Sequence, residues 1–245
     1  MSDAGFRGLW LEAPYEEDVV AFARAVLRAG DCAVDVGANV GIHTMRFAAL
    51  VGPRGVVHAF EPSHRPAALL KRSIALNRWD ARVIVHPTAL SDTRGTGTLY
   101  VDDAVGLLSG LERHAWLEEG SVQVTPVSRL DDAPALSERS IRLMKIDVEG
   151  AEAQVLRGGR HLFERSPPEH PIMEVSSATD ATPAVDFLLA CGYRPMRTVA
   201  NAVVGIPLGP LPTVTTASPL DAEFSYRNIC FSRAAPPPEG RVGEG

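Results

Sequence analysis

Cysteine is scarce in this 245-residue chain: Cys32, Cys191 and Cys230 stand far apart and form no CxxC pair. An odd count without that spacing argues against a disulfide framework and a structural zinc site. It leaves three buried free thiols, as expected in a reducing cytoplasm. No apolar run approaches the ~20 residues of a membrane span, so no membrane association is expected. The opening segment MSDAGFRGLW has no basic stretch followed by an apolar one, so no signal peptide is expected either. Basic tracts are missing too. Lys and Arg number 24 against 30 Asp and Glu, a net charge of −6. A mildly acidic protein repels a polyphosphate backbone, so nucleic acid is not an expected partner. There is no internal repeat. His58, His64, His86, His114, His161 and His170 show no mutual spacing of a metal site.

What is present is ordinary for a globular protein: 45% hydrophobic and 22% charged residues. The length suits one large domain, expected over residues 31–233, with a helical arm at 1–30 packed on it. The Pro/Gly-rich segment 234–245 has nothing to bury and is expected to be a flexible tail. Apolar spacing predicts a helix from Glu16 to Ala29, stopped by Gly30. A strand at Cys32–Val36, a helix at Val40–Leu50, a strand at Val56–Phe60, a helix from Pro62 to Asn77 and a strand at Arg82–His86 follow. This alternation indicates βαβ units and a parallel sheet. Gly97–Val101 and Val122–Val127 read as strands of a β-rich insertion around residues 92–127. The parallel pattern resumes with strands at Ile141–Ile146 and Pro171–Val175, each followed by a helix (Gly150–Leu162 and Ala184–Cys191). Tyr193–Val199 and Phe224–Phe231 read as further strands, with a Pro/Thr-rich loop over 200–222 between them.

The chemistry enters at Asp35-Val-Gly-Ala-Asn-Val-Gly41, between the first strand and its helix. Ligands of open α/β sheets bind at the carboxyl ends of strands, glycine lets the backbone approach them, and the helix N-terminus adds partial positive charge. A dinucleotide fingerprint would read GxGxxG, with pyrophosphate on the helix amides. Here the pattern is DxGxNxG, and Asp35 would repel a pyrophosphate. The same carboxylate suits a ligand with an ammonium group and no phosphate, a description that fits S-adenosylmethionine. Glu61 ends the second strand, where a carboxylate can accept hydrogen bonds from both ribose hydroxyls. It supports an adenosine cofactor without choosing between the two.

Four segments in order resemble the FkbM-type methyltransferases, a branch of the class I S-adenosylmethionine-dependent enzymes. They are Asp35–Gly41, Ala59-Phe-Glu-Pro62, Ala89-Leu-Ser-Asp92 and Lys145-Ile-Asp-Val-Glu-Gly-Ala-Glu152. The resemblance implies a Rossmann-like, doubly wound, seven-stranded, mostly parallel sheet whose last strand is antiparallel. It implies cofactor contacts from Asp35, Gly37, Asn39 and Gly41, a ribose contact from Glu61, and an adenine border at Ala89, Leu90 and Ser91. Tyr15-Glu16 resembles a pair that precedes the first strand in the family, which would bring Glu16 to the cofactor.

Methyl transfer requires a nucleophile aligned behind the methyl carbon, and an alcohol gains from a general base. Asp147 ends the fourth parallel strand across the cleft from the cofactor turn and is expected to serve the site. Glu149 and Glu152 follow it, and Glu174 lies near the end of the next strand. These acids offer a base, a site for a substrate amine, or Mg²⁺ ligands, although no His or Asp cluster completes a ligand set and no metal is expected. The alternative for Asp147 and Glu149 is to cap the next helix. His43 has a side chain suited to proton transfer, or else sits on a helix surface. Lys145, inside its strand, faces away from the mouth or pairs with an acid. Residues 102–121 are open to four readings: a lid, an acceptor wall, a satellite core or a homodimer contact.

The activity that the resemblance implies is O-methylation of a small or medium natural product or sugar, as in secondary-metabolite biosynthesis; no acceptor-binding residue in the sequence points to it. N-methylation, including that of a peptide side chain, and carboxylate methylation are the alternatives. From other classes, an NAD-dependent oxidoreductase is disfavoured by Asp35 and Asn39. A silent binding module is disfavoured by the retention of Asp35, Glu61 and Asp147 together.

Overall fold

A computed structural model describes residues 16–102, 109–111, 120–136, 138–176, 181–199, 202–205 and 226–233. Tyr15 and the 234–245 tail lie outside them, as do 103–108 and 112–119 of the stretch with several readings. The chain alternates α1 (Glu17–Val26), β1 (Cys32–Val36), α2 (Ile42–Val51), β2 (Val56–Phe60), α3 (His64–Asn77) and β3 (Val83–His86). After an insertion come β8 (Ile141–Ile146), α4 (Glu152–Gly158), α5 (Arg160–Arg165), β9 (His170–Ser176), α6 (Thr182–Ala190), β10 (Arg194–Val199), β11 (Ala202–Gly205) and β12 (Tyr226–Ser232).

The main sheet has the order β11-β10-β12-β9-β8-β1-β2-β3. Every residue of β1 is buried, as a central strand covered on both faces requires. The seven expected strands are present, and β12 is antiparallel to both β9 and β10. An eighth, β11, pairs antiparallel with β10 through Ala202-Val-Val-Gly205, inside the stretch read as loop. The Pro/Thr content around it masked a short run of strand-type residues.

Two apolar layers make the fold doubly wound. Val19, Phe22, Phe47, Leu70 and Ile74 of α1–α3 pack on one face, against Ala33, Val57, Leu143 and Ile172. Val155, Leu156, Leu162, Phe163 and Leu188 of α4–α6 pack on the other, against Val34, Phe60, Ile146 and Met173. From β1 the chain winds one way through β2 and β3, then returns to β8 and winds the other way. The crevice at the carboxyl ends of β1 and β8 is therefore the topological switch point, where open α/β sheets bind ligands.

The single helix expected over 150–162 is split. Gly158 and Gly159 allow close approach there: a Cβ would lie 2.0 Å from Ser91 O at Gly158 and 2.9 Å from Leu130 Cδ1 at Gly159. Asp131, thirty residues upstream, accepts the N–H groups of His161 and Leu162 and caps α5 from outside. The insertion forms a separate sheet, β4-β7-β5-β6, of β4 (Ala89–Leu90), β5 (Gly95–Asp102), β6 (Ser109–Gly110) and β7 (Gly120–Ser128). Its inner face buries Leu99 and Thr125, whereas Val122 and Val124 on the outer face are exposed. Gln123 locks it to the main sheet: Nε2 donates to Pro62 O and Oε1 accepts the His64 N–H, just after β2.

At the switch point β1 and β8 come too close for any side chain at Gly37. A Cβ there would stand 1.7 Å from Asp147 O, at φ 79°, whereas Gly30, at φ 98°, has nothing within 4 Å of its Cβ position. Gly37→Ala is expected to cost about 2–4 kcal/mol in urea unfolding, and Gly30→Ala about 1–2 kcal/mol, from backbone strain alone. Equal costs would contradict the close approach.

Candidate active site

Positions two residues apart on a strand share a face. On the α1–α3 face, the last such step turns from apolar to polar in four adjacent strands. Ala33 is followed by Asp35, Leu143 by Lys145 and Ile172 by Glu174; on antiparallel β12, Cys230 is preceded by Asn228. Asp35 pairs in register with Lys145, and Asn228 with Glu174. The core thus ends in a polar row at the carboxyl edge. It meets Glu16, ahead of α1, and His43 and Thr44 of α2. Most of these groups, Thr44 and Asn228 excepted, line a cavity of about 500 Å³, which Glu61, Asp147 and Glu149 also line.

The glycine turn forms one side. Asn39 takes φ 51°, which its short polar side chain tolerates, and its Oδ1 accepts the Val40 N–H. Gly41, at φ 90°, packs where a Cβ would meet Leu70 Cδ1 at 2.3 Å. Asp35 is buried and accepts the Thr44 hydroxyl at 2.5 Å. Glu61 accepts backbone N–H groups at both oxygens, Asn39 at Oε2 and Ser63 at Oε1, each at 2.7 Å. Those bonds fix the carboxylate against the turn, and each oxygen retains a second lone-pair direction. Burial pushes Glu61 up to about 7, against the pull of the two amides.

Lys145 organises the end of the adjacent strand. It is 2% exposed, its Nζ lies 2.5 Å from Asp147 Oδ2 and 4.0 Å from Glu16 Oε2. Burial alone would lower its pKa, but the charges of Asp147, Glu16 and Asp35 hold it well above the lysine range. His43 Nε2 is 2.6 Å from Glu16 Oε2. Burial raises Glu16, yet the bonds to His43 and Asn228 and the Lys145 charge leave it below its ordinary value. Burial, and then the Asp147 charge and hydrogen bond, push Glu174 up to about 9. Burial, and then Asp147, push Glu149 up to about 7. Glu174 therefore holds its proton more tightly than an ordinary carboxyl and shares a hydrogen bond with Asp147. Glu16, Asp147 and Glu174 each bring an oxygen within 4.8 Å of the others, a spacing hard cations accept. Lys145 places the chain's own cation among them.

Most of the expected site residues therefore meet at one cavity: Glu16, Asp35, Gly37, Asn39, His43, Glu61, Ala89, Leu90, Asp147, Glu149 and Glu174 line it. Gly41 and Ser91 stand behind it, Ser91 against Gly158. The surface reading of His43 is overturned by its 5% exposure. Lys145 faces the cavity and pairs with an acid. Neither Asp147 nor Glu149 caps α4, whose N-cap is Ala151 without a side-chain bond; Glu152 instead accepts the N–H groups of Val148 and Gly150. Three contributors escaped the sequence reading: Thr44, Gln123 and Asn228. The i, i+2 switch from apolar to polar at the strand ends was the available signal for Asn228. Cys191, read as buried, is half-buried. No helix among the described residues is long and apolar enough to cross a membrane.

Comparison with known proteins assigns the class. The profile of the methyltransferase FkbM domain matches residues 35–195, and the chain belongs to that family. It is 33% identical over 162 residues to the 31-O-demethyl-FK506 methyltransferase FkbM of Streptomyces tacrolimicus, covering 54% of this chain and 60% of that protein. It is 27% identical over 150 residues to the 2-O-methyltransferase NoeI of Sinorhizobium fredii (strain NBRC 101917 / NGR234), covering 54% of this chain and 59% of that one. The chain thus spans about three-fifths of the length of these relatives. Among solved structures, a methyltransferase FkbM from Methylobacillus flagellatus KT aligns with a TM-score of 0.48 at 15% identity, over 87% of this chain and 50% of that one.

The raised carboxyls carry a pH prediction. A carboxyl whose pKa is higher folded than unfolded keeps its proton longer in the folded chain. Its burial withdraws stability as pH climbs from the ordinary value, 4.5, to the folded one. His58 and His170, lowered by burial to about 4, act in the opposite sense but only below 6.5. Urea unfolding of the ligand-free protein should lose about 2 kcal/mol or more between pH 6.5 and 8.5. Glu174→Gln should remove much of that slope. A flat profile, or a slope unchanged in the variant, would contradict the protonated Glu174.

Proposed function

We propose that the chain is an S-adenosylmethionine-dependent O-methyltransferase acting on a hydroxyl of a small or medium natural product or sugar. The observation that carries this reading is the meeting, in one cavity, of the Asp35–Gly41 turn, Glu61 and the Lys145–Glu149 acids of a chain that belongs to the FkbM family. The donor set fits the cofactor. Six carboxylates face the cavity with one lysine, a surplus of negative charge that suits a sulfonium and an ammonium and opposes a pyrophosphate. Asp35, Gly37 and Asn39 would hold the amino-acid end, Glu61 the ribose, and Phe60, Ala89 and Leu90 the adenine. S-adenosylmethionine, when bound, supplies an electrophilic methyl group on a sulfonium. Transfer to oxygen is supported by the names of two relatives, a 31-O-demethyl-FK506 methyltransferase and a 2-O-methyltransferase.

The acids divide the remaining work. Asp147 is held by the Lys145 ammonium and the Glu174 carboxyl, so in this reading it orients the site. Glu149 stands at the cavity on left-handed backbone, φ 55°, a strained conformation typical of functional positions. A pKa of about 7 is matched to accepting a hydroxyl proton at neutral pH. Glu149 is the general base in this reading: its carboxylate would accept the proton of the acceptor hydroxyl.

Activity measured as methyl transfer should rise with pH through an apparent pKa near 7. Glu149→Gln should lower kcat roughly 100- to 10,000-fold and abolish that limb, with S-adenosylhomocysteine affinity little changed. A variant that keeps both rate and limb would place the base elsewhere.

A further inference from the structure

The second sheet reaches the same cavity. Leu99 of β5, Gly110 of β6 and Leu111 line it alongside the cofactor turn. They belong neither to the glycine turn nor to Glu61, and no step of the proposed transfer uses them.

We propose that Leu99, Gly110 and Leu111 form an apolar acceptor subsite, which selects an uncharged alcohol carried on a hydrocarbon-rich framework. This inference rests on the methyltransferase reading and names the acceptor class of that site. Three observations support it. The same cavity is lined by Glu16, Asp147 and Glu149, and Lys145, the one lysine among its described lining residues, is already bonded to Asp147, so an anionic acceptor meets net repulsion there. Burying hydrocarbon on the two leucines contributes roughly 0.8 kcal/mol per methylene, so a longer apolar framework binds better. Finally, the wall is anchored rather than adaptable. Gln123 bonds Pro62 and His64, Thr88 Oγ1 donates to Pro126 O, and Ser91 N donates to Ser128 O. Leu111 is backed by Gly97, where a Cβ would come within 3.3 Å of its Cδ2. An anchored wall with a glycine behind its leucine sets the depth of the subsite.

The test uses the full chain saturated with S-adenosylhomocysteine and three probes followed by ligand-observed NMR: 1-octanol, 1-propanol and octanoate. The expected order is 1-octanol at least tenfold tighter than 1-propanol, and octanoate at least tenfold weaker than 1-octanol. Leu111→Ala should cut the octanol advantage at least fivefold while S-adenosylhomocysteine affinity stays within twofold. Val124→Thr, on the exposed outer face of the same sheet, should leave both unchanged. Octanoate binding as tightly as octanol, or an octanol advantage that survives Leu111→Ala or falls with Val124→Thr, would overturn the subsite. A loss of S-adenosylhomocysteine affinity in Leu111→Ala would assign the leucine to the cofactor and overturn it as well. Failure of the unaltered protein to bind S-adenosylhomocysteine would sink the underlying methyltransferase reading, and this inference with it.

Discussion

The buried ammonium of Lys145 is the contact on which the site depends. Its surroundings hold Asp147, Glu16 and Asp35, and without a cation those carboxylates would repel one another at a place sheltered from water. One cation cannot neutralise the whole group. Burial, and then the remaining negative charge, push Glu174 and Glu149 upward, while Glu16, held by His43 and Lys145, is pushed down. A pocket that must hold protons to balance itself is prepared to exchange one.

Geometry puts this charge cluster directly against the Asp35–Gly41 turn. Gly37 lets the ends of β1 and β8 approach closely. The Asp147 amide completes the contact by donating to Val36 O. Glu61 is fixed to the same turn through the Asn39 amide, so its carboxylate and the glycine turn move as one piece. The second sheet is fastened to the segment just after Glu61 through Gln123. Both walls are therefore referenced to the short stretch from Phe60 to His64.

Much of the fold was legible in the chain because its signals are local. Apolar runs bounded by Gly and Pro marked β1, β2, β3 and β8 within a residue or two, and the DxGxNxG turn lay between a strand and a helix, as its chemistry needs. The misses are non-local. The break between α4 and α5 depends on Ser91, Leu130 and Asp131, far upstream. Lys145 looked like an interior strand residue, and only the register with Asp35 shows that its face is polar at that level. His43 was a helix position of undecided exposure until Glu16 was brought to it from before α1. Asn228 meets Glu16 and Glu174 only because β12 inserts between β9 and β10, a pairing no local pattern encodes.

We propose that this surplus of acidic groups, held around one lysine and one glycine turn, receives a sulfonium cofactor and rejects a dinucleotide. Titration calorimetry of the full chain with S-adenosylmethionine, S-adenosylhomocysteine and NAD tests it most directly. Micromolar binding of the first two ligands and no measurable heat with NAD is the predicted result. Tight NAD binding with no response to either sulfur ligand would contradict the account.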